Sequence, residues 1–202
     1  NQKRVSGVCL VNKMFGHWDA ILDSQPLASG TAYLDGIWHY CRGGALVAKG
    51  DLSSARRELG DLWKIISLKN IDQNPVGPTP VSSILKLAAR ALSGEIKQAS
   101  GNLDSAIADY KAAIAIEDKN AYIEPPDWPQ PIRHYLGAAL LEAGRAAEAE
   151  TVYRQDLAWH KNNGWALFGL WQSLASQGKS DEAKKVFTDF EHAWRTADTP
   201  LV

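Results

Sequence analysis

Leu136-Gly137-Ala138-Ala139-Leu140-Leu141-Glu142-Ala143-Gly144-Arg145-Ala146-Ala147-Glu148-Ala149-Glu150-Thr151-Val152-Tyr153 repeats itself in outline 34 residues further on. Leu136 falls on Leu170, Leu140 on Leu174, Gly144 on Gly178, Ala149 on Ala183 and Tyr153 on Phe187. Apolar residues at helical spacing on either side of a glycine predict two helices joined by a tight turn. The glycine ends the first helix and permits the positive φ of that turn. A small residue such as Ala149 lets the second helix approach the first. The aromatic four residues later lies on the same helical face and fills the space between pairs. Such a pair cannot bury its own apolar face, so neighbours must stack.

The same signals extend towards the N-terminus. A third copy fits Gly94, Gly101, Ala106, Ile107, Tyr110 and Ala113, and a fourth fits Gly43, Leu46, Gly50, Ala55 and Leu59. A worn fifth has Gly16-His17-Trp18 at its turn and Ile21 in the small-residue position. Asp51 after Gly50, and Ser180-Asp181 after Gly178, supply capping residues. Spacing is uneven, because Gly50 to Gly101 spans 51 residues and Gly101 to Gly144 spans 43. The surplus lies in two proline-rich segments, 70–80 and 122–131, which cannot continue a helix. Helices are expected at about 2–15, 17–23, 31–49, 52–67, 81–100, 103–117, 131–143, 146–160, 164–177 and 180–196, with no strand.

The 34-residue helix–turn–helix period, with its glycine, alanine and aromatic positions, resembles the tetratricopeptide repeat. The strings EPPDWPQPIRHYLGAALLEAGRAAEAETVYRQDL, NNGWALFGLWQSLASQGKSDEA and FEHAWRTAD resemble the C-terminal region of long bacterial tetratricopeptide proteins, as do FGHWDAIL and GIWHYCRGGALVAKGDLSSARREL. The resemblance implies an all-α, right-handed solenoid of about five antiparallel hairpins (1–25, 31–67, 81–117, 131–160 and 164–196). It implies one domain over 1–202 that is part of a longer chain, acting as an interaction scaffold in a bacterial cytoplasm. It carries no reaction with it.

In that family the first helix of each repeat lines a concave groove. The equivalent positions here include Tyr40, Val47, Glu95, Gln98, His134, Trp165, Phe168 and Gln172. An aromatic and amide lining suits an extended peptide or an amphipathic helix. Proline stiffening makes Glu124, Asp127 and Trp128 of the second insertion further candidates for partner binding. Trp38 and Trp63 are expected in the core. The runs Arg56-Arg57-Glu58 and 181–185 are expected on solvated faces.

Composition narrows the function. The formal charge of −1 and the absence of a Lys/Arg cluster argue against nucleic-acid binding. No apolar run approaches the ~20 residues of a membrane span. Two cysteines, Cys9 and Cys41, are too few for a disulfide framework and lack zinc spacing. They read as buried thiols, with a disulfide between neighbouring helices as the alternative. No HExxH, GxSxG, P-loop or GxGxxG occurs, so no catalytic residue, metal or cofactor is expected. The expected partner is a protein or peptide. Two alternatives remain: self-assembly through the open ends of a solenoid, and a small-molecule- or metal-binding enzyme domain in which Glu124, His134 and His160 converge.

Overall fold

The computed structural model describes residues 2–27, 30–121, 123–124 and 126–198. Asn1, and Tyr122 and Pro125 of the second proline-rich segment, lie outside the described residues. The described residues form ten α-helices and one short 3₁₀ turn, with no strand. The helices are α1 Gln2–Met14, α2 Trp18–Leu22, α3 Ala32–Ala48, α4 Leu52–Ile66, α5 Val81–Ala99, α6 Leu103–Glu117, α7 Ile132–Glu142, α8 Ala146–Trp159, α9 Gly164–Ser176 and α10 Ser180–Trp194. Every one ends within two residues of its expected limits. The all-α class is therefore observed.

The chain divides into two compact units, Asn1–Gln130 and Pro131–Val202. In the first, α1 packs on α3 and α3 on α5, while α2 packs on α3, α4 on both α3 and α5, and α6 on α5. The odd-numbered helices thus form one layer and the even-numbered helices cover it. α5 lies between α3, α4 and α6, and its Ile84, Leu85, Leu87 and Leu92 are almost wholly buried. Each such side chain contributes about 1.5–3 kcal/mol of transfer free energy. The starts of α4 and α6 are capped by side chains. Asp51 accepts from the Ser54 amide at 2.9 Å, and Asn102 from the Ser105 amide at 3.3 Å.

In the second unit α7 pairs with α8 and α9 with α10, and α9 also packs on α7 and α8. Gly144 and Gly178 hold the same φ of 72°, so the two turns that define the 34-residue period share one backbone solution. The tyrosine from the opening stretch, Tyr153, is buried against α7 and α9, where Gly137 and Gly169 leave no room for a Cβ. One cap differs from expectation. The residue before α10 is Lys179, and Ser180, Asp181 and Glu182 form its first turn, where acids favour the helix dipole.

Of the two tryptophans expected in the core, Trp38 is buried, whereas Trp63 is 36% exposed with the Arg90 guanidinium over its ring at 6.0 Å. Trp63 follows the fully buried Leu62, and one residue turns a helix by about 100°, which carries the indole out of the core. Glu58 is also less solvated than expected, because it accepts from His39 at 2.6 Å and from Arg42 at 3.1 Å. Among the described residues no helix is long and apolar enough to cross a membrane.

Cys9 and Cys41 are free and buried. Burial, and then the neighbouring Cys9 thiol, push the Cys41 thiol well above its ordinary range. The thiolate is the reactive form. Cys41 in the native chain is expected to react with an aromatic disulfide reagent many-fold more slowly than in denaturant, because burial both shields the thiol and disfavours its thiolate. A timed thiol titration with and without denaturant checks this.

Candidate functional site

In the first unit the side chains of chemical interest gather on the odd-helix layer. Lys13, in the last turn of α1, is 3% exposed at its side chain and places Nζ 2.7 Å from Glu95 Oε2 on α5. To reach Glu95 it crosses α3 at Gly44, where a Cβ would stand 2.5 Å from Nζ and 3.1 Å from the carboxylate. The ammonium also lies over the Tyr40 ring at 4.7 Å and the Trp18 ring at 5.9 Å. A cation held between a carboxylate and aromatic faces is matched on every side. Glu95 Oε1, by contrast, is buried without a hydrogen-bond partner.

The second proline-rich segment folds onto the same surface. Trp128 is buried with its ring 5.0 Å from that of Tyr40 at an interplanar angle of 55°. Asp127, 4% exposed at its side chain, forms an ion pair with Lys3 of α1 at 2.5 Å. Asp127 Oδ2 has no hydrogen-bond partner. Gly77 of the first proline-rich segment closes in beside Lys3, Asp127 and Ile123. Ser6 and Tyr33 share a hydrogen bond of 3.0 Å beneath. Burial raises the Tyr33 phenol above its ordinary pKa, the Ser6 bond opposes this, and the nearby Asp127 charge adds to it. Tyr40, expected to line an open groove, is therefore 2% exposed, because Lys13 and Trp128 cover it. Gln98 is half-buried and accepts from the Tyr110 hydroxyl at 2.9 Å, and Glu124 is exposed.

The second unit holds the other expected residues in two groups. His134 donates from Nε2 to Asp156 Oδ2 at 2.9 Å, and His160 from Nδ1 to Asp156 Oδ1 at 2.9 Å. The Asp156 side chain is 0% exposed. Burial pushes its carboxyl up, but the bonds and charges of the two imidazoles outweigh that and hold it below the usual carboxylate range. His134 of α7 and His160 at the end of α8 thus meet on Asp156 of α8. In the other group, Trp165 meets Trp194 edge-on at 5.0 Å, and Phe168 lies 5.2 Å from Trp171 and 5.3 Å from Phe190. Gln172 sits half-buried on the same helix.

No family model, curated protein or solved structure matches this chain. The described residues contain no group of three or more His, Cys, Asp and Glu placed to hold a metal ion. A depression of about 300 Å³ at the start of α3, beside residues 68–74, contains none of the expected binding residues. Sequence reasoning missed Lys3, Lys13 and Asp156. Lys13 stands three residues before the turn glycine Gly16, the register that also selects Gln98 before Gly101. Asp156 stands four residues before His160, the spacing that puts two side chains on one helical face.

Proposed function

We propose that the chain is a tetratricopeptide-type scaffold that binds a protein segment on the face of its odd-numbered helices, in a bacterial cytoplasm. One observation carries this reading. In the first unit that face presents an aromatic ring, a buried cation and a carboxylate together, and a non-helical, proline-rich segment already lies across them. An aromatic anchor ringed by a few directed polar groups is the composition of a peptide-binding surface.

The full chain should bind members of a panel of fluorescent peptides, both extended and helix-forming, by anisotropy. Glu95→Gln keeps the shape and removes the charge. It should weaken binding to the first unit by roughly tenfold, since hydrogen bonds to a charged group contribute about 1.5–3 kcal/mol. If the folded chain binds no peptide of the panel, the scaffold reading is wrong.

Self-association has one observation in its favour. Val5, Val8 and Val11 are exposed and share one face of α1, and the exposed Phe15 follows directly after that helix. α10 turns Asp181, Glu182, Lys184, Lys185 and Asp189 outward. Light scattering over a concentration series separates the two readings.

A further inference from the structure

We propose that the first unit recognises a proline-flanked Asp-Trp pair, and that the chain's own Asp127-Trp128 is the resident copy that a partner segment must displace. This rests on the scaffold reading above and specifies its ligand and its regulation.

Two contacts define the recognition. Lys3 takes the acidic side chain in an ion pair of 2.5 Å. Tyr40 takes the indole at 5.0 Å between ring centroids. Pro126 and Pro129 bracket the pair in sequence. Each fixes its own φ and biases the residue before it away from helix, so little conformational freedom is lost on docking. Asp127 and Trp128 are both buried, although they belong to a non-helical connection, and connections ordinarily run over the surface. The segment is held as a ligand would be, by one charge and one aromatic face.

The resident copy is an incomplete ligand. Asp127 Oδ2 and Glu95 Oε1 are both buried without a hydrogen-bond partner. A buried acceptor left unpaired penalises the state that contains it. A competing segment that carries the same Asp-Trp pair, with a Lys or Arg nearby, could supply donors to these oxygens. The matching partner is therefore a protein with an exposed Pro-Asp-Trp-Pro stretch close to a basic residue. Binding would exchange one indole for another on Tyr40, and the displaced segment would be freed.

The test uses the full chain and a labelled peptide of residues 126–131, Pro-Asp-Trp-Pro-Gln-Pro, read by anisotropy. A site filled in cis lowers apparent affinity by the fraction of chains in which it is open. Trp128→Ala should therefore bind the peptide at least roughly tenfold more tightly than the unaltered chain. Adding Lys3→Glu should abolish that gain, and a peptide with Lys in place of its Asp should restore it. Asp127→Lys, which repels Lys3 without emptying the core, provides a second opened chain if Trp128→Ala does not fold. A folded, opened chain that binds no more tightly than the unaltered one overturns the proposal. If panel peptides bind the opened chain and Pro-Asp-Trp-Pro-Gln-Pro does not compete with them there, this inference falls while the scaffold reading stands. If nothing binds either chain, both fall.

Discussion

Replacing Tyr153 by alanine is expected to destabilise the second unit by about 3–5 kcal/mol, the range for removing a large aromatic from a core. Tyr153 is 4% exposed. Its ring fills the positions that side chains at Gly137 on α7 and Gly169 on α9 would otherwise occupy. The cavity left behind would be walled by two residues with nothing to extend into it, so little relaxation can offset the loss. Tyr153→Phe keeps the ring and should cost far less. Burial, and then the charge of Asp156, raise the Tyr153 phenol above its ordinary range, so the hydroxyl stays neutral at working pH. Urea unfolding of the two variants side by side measures the difference. An alanine variant within about 1 kcal/mol of the unaltered chain would show that the ring is not the wedge between α7, α8 and α9.

Asp156→Ala should be comparably severe. Removing one partner of a buried pair costs about 3–5 kcal/mol, because the other group is stranded. His134 is 8% exposed and its Nδ1 already lacks a hydrogen-bond partner, so without Asp156 neither ring nitrogen would be bonded. The same site predicts a pH dependence. The folded carboxyl of Asp156 titrates below its unfolded value. Its contribution is therefore fully present above the unfolded pKa of about 3.9, and is lost as pH falls from there through the folded value. Unfolding experiments below about pH 4 should show a stability slope that Asp156→Asn reduces. An unchanged slope in the asparagine chain would mean that other carboxylates account for it.

The helices were legible because their signals are local. Leu136, Gly144, Ala149 and Tyr153 state a spacing, and a spacing is a property of sequence alone. The candidate site was less legible because its members meet through packing. Trp128 was singled out, and so was Tyr40, but their contact depends on how the segment between α6 and α7 returns over α3. Nothing within four residues of either encodes that return. Lys13 was not among the expected residues. Its importance comes from Gly44 on a different helix, which leaves it a path to Glu95. His134 and His160 were considered together with Glu124 only as an alternative small-molecule or metal site. The carboxylate they use, Asp156, lies one helical turn before His160, and only the packing of α7 against α8 brings His134 to it.

Tyr153, Gly137 and Gly169 also constrain how this sequence can change over generations. A methyl group at either glycine has no space while the ring is present, and a smaller side chain at 153 leaves an opening that neither glycine can close. Each single step away from the present trio therefore passes through a less stable chain. Drift at these sites should be correlated: lineages that enlarge a glycine should also have shrunk the tyrosine, and lineages that keep the tyrosine should keep both glycines.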